Sequence, residues 1–142
     1  MNKKPAELHF KDIKINDETK FNVKITEEMI NNFAALSGDY NPIHTNQDYA
    51  SNTDFGKKIC HGMLLASFFS RLVGMYIPGK NALYFSQSLN FRNPCFINDQ
   101  VTIIGIIIEK KSSIKMIKLK TTIKNLKGQI ILDGEAKVIV RN

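Results

Sequence analysis

Apolar and polar positions change period several times along the chain, and those changes mark out its elements. Residues 7–24 alternate, with a break at Asn16-Asp17-Glu18, and this period of two predicts two short strands or one irregular extended arm. Thr26 then offers an N-cap oxygen, and Glu27 and Glu28 place negative charge in a first helical turn. Met29, Ile30, Phe33, Ala34 and Leu36 form a helical stripe that should end near Gly38. No long period survives between residues 39 and 60. Pro42 removes a backbone donor there and pushes Asn41 away from helical angles, which predicts a loop that exposes its side chains. Asn46 is placed to cap a short helix over 48–51. Residues 62–76 are apolar on nearly every side and stop at Pro78-Gly79, the pattern of a buried helix.

The remainder reads as strand. Leu83, Phe85, Leu89 and Phe91 make one segment, residues 101–108 a second, and Ile117, Leu119, Thr121 and Ile123 a third. A turn at 125–128 then leads into a run that puts Leu132, Gly134, Ala136, Val138 and Val140 on one face. Helices first and antiparallel strands after is an α+β pattern, and three long strands beside one very apolar helix predict a sheet wrapped around that helix. With 142 residues, no repeat and no Pro- or Gly-rich linker, residues 1–142 read as a single domain.

Composition narrows the class. Hydrophobic residues at 43% and charged residues at 23% fit a soluble globular chain rather than a disordered one. There is no apolar run of eighteen residues, and the N-terminal segment lacks the apolar core of a secretory signal, so a cytoplasmic protein without membrane contact is expected. Cys60 and Cys95 have no zinc-type spacing and read as reduced packing residues. The net charge of +7 raises the question of nucleic acid, which needs lysines and arginines gathered on one face. Lys110, Lys111, Lys115, Lys118, Lys120, Lys124 and Lys127 are instead spread over two predicted strands and their turn, so they read as a solvated sheet surface and no nucleic-acid partner is expected. Part of this charge could steer a phosphorylated molecule such as coenzyme A.

The chemistry-bearing segment is Leu36-Ser37-Gly38-Asp39-Tyr40-Asn41-Pro42-Ile43-His44. An Asp and a His five positions apart across a Pro-containing loop can converge on one water, the carboxylate taking a proton while the imidazole handles another. Spacing alone equally allows Asp39 to cap a turn and His44 to be a satisfied loop residue. The segment resembles the signature of (R)-specific enoyl-CoA hydratases of the MaoC-like family. The likeness continues through Ala50, His61-Gly62-Met63-Leu64-Leu65-Ala66-Ser67, Pro78-Gly79 and Leu89-Asn90-Phe91. The resemblance implies a hotdog fold, an antiparallel sheet around a long central helix, in agreement with the α+β pattern. It implies that Asp39 and His44 are the catalytic pair, that Asn41 holds the loop or the acid, and that Ser70 faces the pocket. The implied substrate is a coenzyme A or acyl-carrier thioester, hydrated to an (R)-3-hydroxyacyl product by a homodimer or dimer of dimers, with no metal or redox cofactor. A dehydratase of fatty-acid synthesis, a hotdog thioesterase and a non-catalytic acyl-CoA-binding module are the alternatives.

Three further expectations come from position on the buried helix. Gly62 lies where that helix begins, so its N–H is free and no side chain blocks an approaching thioester carbonyl. Leu72 and Val73 are placed to form a wall that limits acyl length, although core packing explains them as well. His61 reads as a structural neighbour of the site.

Overall fold

The computed structural model describes residues 3–142. Helix α1 (Glu27–Ser37) opens as expected, with Thr26 Oγ1 accepting from the Met29 N–H at 3.2 Å, and closes at Gly38, whose φ of 80° is left-handed. Two short helices follow, α2 (Pro42–Thr45) capped by Asn41 and α3 (Gln47–Ser51) capped by Asn46. Helix α4 (Gly62–Arg71) continues into a π-helical turn, Leu72–Tyr76. The strands are β1 (Glu18–Lys24), β2 (Ala82–Gln87), β3 (Asn90–Phe91), β4 (Gln100–Lys111), β5 (Met116–Asn125) and β6 (Ile130–Val140). They form one antiparallel sheet in the order β1-β4-β5-β6-β2, with β3 also paired to β6.

Strand register explains why α4 lies on the sheet. Phe21, Ile103, Ile123 and Leu132 are consecutive partners across β1, β4, β5 and β6, so one row of large apolar side chains points to one face. Leu64, Leu65 and Phe69 of α4 pack against that row, each such side chain contributing roughly 1.5–3 kcal/mol when fully buried. Gly105 sits in the next row, where a Cβ would lie 2.8 Å from Leu72 Cδ2, so its missing side chain lets the end of α4 close on the sheet. A second cluster, including Ile13, Val73, Ile77, Ile107 and Leu119, fills the far end. The result is a sheet wrapped around one helix, the hotdog arrangement. No helix among the described residues is long and apolar enough to cross a membrane.

Three expectations need correction. Residues 7–24 hold one regular strand, β1, preceded by a 3₁₀ turn at Phe10–Asp12, because Ile13 turns inward to the core instead of pairing along an edge. Helix α4 is not buried all round: Leu64, Leu65 and Phe69 are buried, while Met63, Ser67 and Ser70 are exposed. Leu83, Phe85, Leu89 and Phe91 do not make one strand: Leu83 and Phe85 lie in β2, Phe91 in β3 and Leu89 between them, with Leu83, Phe85 and Phe91 53%, 67% and 56% exposed.

Candidate active site

The segment after α1 is built from short-range hydrogen bonds that its residue types dictate. Ser37 Oγ donates to Phe33 O at 2.7 Å and accepts from the Asp39 N–H at 3.1 Å, which fixes the chain as it leaves the left-handed Gly38. One Asp39 carboxylate oxygen accepts from the Asn41 N–H at 3.2 Å, and Asn41 Oδ1 accepts from the Ile43 N–H at 3.1 Å. Asn41 is thus the N-cap of α2, with Pro42 at a position where a missing N–H costs nothing. Its effect is to orient the short helix that carries His44.

Long-range bonds complete the arrangement. His44 Nδ1 lies 2.8 Å from Ile59 O; a carbonyl only accepts, so Nδ1 donates to it and that bond leaves Nε2 uncommitted. The Ile59 N–H returns a bond to Ile43 O at 3.2 Å, which ties α2 to the strand-like segment before α4. His61, 2% exposed, places Nε2 3.0 Å from Asp39 O and stacks on His44 with ring centroids 3.9 Å apart. A carboxylate oxygen of Asp39 and a ring nitrogen from each of His44 and His61 all lie within 4.8 Å of one another. That spacing suits one water held between Asp39 and His44.

Beside His44 is a cavity of about 380 Å³ whose lining includes Gly62, Leu65, Phe91, Ile131 and Leu132. Gly62 is the first residue of α4 and no side chain caps that end, so its N–H faces an uncapped, positive helix terminus. A Cβ on Gly62 would lie 2.5 Å from Phe91 Cδ1, so the glycine also makes room for the aromatic ring that covers it. Cys60 and Cys95 line the same cavity as free, buried thiols. A hydrogen bond with the Cys95 thiol and burial push the Cys60 pKa up, so this sulfur stays protonated and is no nucleophile.

Other expected residues fall elsewhere. Ser70 is exposed on α4 and Val73 is 1% exposed in the far core cluster; neither lines the cavity beside His44. A larger cavity of about 740 Å³, between the N-terminal arm and Arg71, Met75 and Tyr76, holds none of the expected site residues, so chemistry rather than size locates the site. The Asp39, His44 and His61 cluster offers donors of the metal-binding kind. However, His61 spends Nε2 on Asp39 O and its Nδ1 is sealed from solvent, which leaves two outward ligands, fewer than a zinc site uses. His61 is the residue whose place sequence reasoning understated. Its signals were adjacency to Gly62 at the start of the apolar helix and a place in the stretch that resembles the family.

The MaoC-like domain family model matches residues 11–129. The chain belongs to this family. An (R)-specific enoyl-CoA hydratase of Rhodospirillum rubrum is 40% identical over 136 residues, covering 93% of this chain and 91% of that protein. Among solved structures, an (R)-hydratase from Aeromonas caviae involved in PHA biosynthesis matches with a TM-score of 0.89 and 35% identity, over 91% of this chain and 98% of that one. An R-hydratase from Pseudomonas aeruginosa matches with a TM-score of 0.92 and 28% identity, over 97% and 88%. The MaoC-like sheet and helix therefore extend over nearly the whole chain, and the Asp39–His44 segment lies inside the matched region.

Proposed function

We propose that this protein is an (R)-specific enoyl-CoA hydratase that reversibly adds water to a trans-2-enoyl thioester. The observation that carries the reading is the approach of the Asp39 carboxylate to within 4.8 Å of the His44 ring, whose tautomer Ile59 O fixes, beside a cavity that starts at the bare N-terminus of α4. The names of the relatives agree with it.

The steps follow from where protons can go. Asp39 takes a proton from the water held between the pair as the oxygen attacks the β-carbon. Negative charge then builds on the thioester oxygen, where the Gly62 N–H is placed to stabilise it. His44 enters the step with a second proton on Nε2 beside the Nδ1–H held by Ile59 O; it delivers the Nε2 proton to the α-carbon, and the proton that Asp39 took from water then restores it. Delivery of oxygen and hydrogen from one side makes the addition syn, and the names of the relatives support attack on the face that gives the (R)-3-hydroxyacyl thioester.

A second cavity, about 660 Å³, shares Asn93 and Pro94 with the first and includes Lys24, Lys57, Lys127 and Phe96 in its lining. Three cations beside a pocket mouth suit the phosphates of coenzyme A. The open sheet edge supports a dimeric reading: β2 is an edge strand with Leu83 and Phe85 exposed, and the exposed side of α4 carries Met63.

The test is hydration of crotonyl-CoA followed by loss of enoyl absorbance, with chiral analysis of the product and crotonyl-pantetheine as a second substrate. Rapid hydration to the (R) alcohol, with a higher KM for the pantetheine thioester, is expected. No hydration above solvent, release of free coenzyme A thiol instead, or an (S) product defeats the reading.

A further inference from the structure

The buried polar side chains among the described residues are His61, Thr121 and Thr122. Thr121 is satisfied by Gly134 O and the Gln87 amide, whereas His61 Nδ1 has no partner at all. Leaving a buried ring nitrogen unpaired costs stability, so its retention calls for an explanation in what the rest of the ring does.

The ring touches both members of the reactive pair. Nε2 sits 3.0 Å from Asp39 O, and because a carbonyl only accepts, Nε2 holds the hydrogen and Nδ1 is a bare lone pair. One face of the ring lies on His44 at 3.9 Å between centroids with the planes 27° apart, and Phe33 of α1 closes in at 4.9 Å and 59°. The titratable groups around the ring are Asp39, His44 and the neighbouring Cys60 thiol. Burial, and then the proximity of His44, hold His61 below its usual 6.5, against the opposing pull of the Asp39 carbonyl and carboxylate. A proton on Nδ1 would find no acceptor, and the cation would face any charge that His44 carries.

We infer that His61 is a positioning residue: as a neutral Nε2–H imidazole it pins the Asp39 backbone with one hydrogen bond and backs the His44 ring with its face, holding the two groups at the separation that one shared water requires. Among the described residues, no other makes a hydrogen bond to that carbonyl. The inference rests on the hydratase reading, so its test has one arm that does not need turnover.

His61→Phe keeps a ring against His44 and deletes the donor; His61→Gln loses the ring and keeps an N–H near the place of Nε2. With crotonyl-CoA, His61→Phe is expected to lower kcat by about tenfold or more while KM changes little, and His61→Gln to recover most of that loss. Unchanged kcat in folded His61→Phe, equal losses in both variants, or a loss confined to KM overturns the inference. In the wild-type protein, ¹⁵N spectra of the three histidines read the tautomer directly. His61 should keep a protonated Nε2 and an unprotonated Nδ1 from about pH 8 down to about pH 6.5. An Nδ1–H tautomer, or His61 gaining a proton together with His44, overturns the inference even if neither variant folds or the substrate proves to be different.

Discussion

If the thioester oxygen is held at the start of α4, proline at position 62 removes the donor while leaving the helix intact. Gly62 is the first helical residue, where proline is common because the N–H it lacks has no intrahelical partner. The preceding His61 has φ −58° and ψ 130°, inside the region that a residue before proline prefers. The complication is steric: a Cβ at 62 meets Phe91 Cδ1 at 2.5 Å and Cε1 at 2.6 Å. Phe91 is 56% exposed and free to swing outward, but it lines the cavity, so its displacement would confuse the reading. The clean comparison is therefore Gly62→Ala against Gly62→Pro, both in a Phe91→Ala background, since the two share the Cβ and differ in the N–H. Loss of one oxyanion donor typically costs about 10²–10³ in kcat, or roughly 2.7–4 kcal/mol. The proline variant should fall below the alanine variant by that factor in crotonyl-CoA hydration, with circular dichroism showing both folded. A ratio within roughly threefold would place the carbonyl elsewhere.

Asp39→Asn and His44→Gln should each lower kcat by about 10²–10⁴ with less effect on substrate binding, and the double variant should lose little more than the worse single one; a folded Asp39→Asn protein with near-normal turnover defeats the assignment. Light scattering should give a mass at least twice the 16.1 kDa of the chain, and Phe85→Glu on the exposed edge should shift it toward the monomer; a wild-type monomer at working concentration refutes edge pairing. Because His61 is held below its usual 6.5, the unfolded chain binds a proton that the folded chain refuses as pH falls through about 6.5, so stability is full above that pH and declines below it. Thermal melts at about pH 7.5 and 5.5 should show a smaller difference for His61→Phe than for wild type, and an unchanged difference excludes His61 as the source.

The fold was legible where each element carries its own instructions. Thr26 and Asn46 cap helices with the side-chain oxygens that the sequence offers, and Gly38 supplies the left-handed residue that ends α1, whereas Asn41, expected in a loop, caps the short helix α2. Alternation in β4 and β5 was equally clear, since the sheet buries one face of both strands almost completely. The N-terminal stretch was harder to read. Its alternation suggested strands, but Lys110 Nζ donates to Phe10 O and Ile13 O, and those carbonyls are held by a side chain about a hundred residues away instead of by a neighbouring strand. Local period carries no record of such a partner. The same holds for β2 and β3, read as one segment, whose break between Gln87 and Asn90 the local period does not record.

Legibility of the site divides along the same line. The side chains of Ser37, Asp39 and Asn41 bond residues no more than four apart, so the segment Gly-Asp-x-Asn-Pro-x-His spells out much of its own geometry. The contacts that give the segment chemical sense span longer intervals: Ile59 O fixes the His44 tautomer from fifteen residues away, and His61 reaches Asp39 O from twenty-two. Phase on α4 was the third obstacle. The resemblance implies a pocket face for Ser70 and position on the helix a pocket wall for Val73, yet past Arg71 the helix widens at Leu72, where the Ile77 N–H bonds back five residues to Leu72 O. That turn leaves Leu72 and Val73, adjacent in sequence, both buried in the sheet core, while Ser70 remains on the open side with Ser67 and Met63. Ser70 can therefore reach an acyl chain only if that open face is itself covered, which makes its role depend on the β2 edge and not on α4 alone. Phe85→Glu tests both at once, since a monomer that binds substrate but loses acyl-length selectivity would place the missing wall of the pocket in the partner subunit.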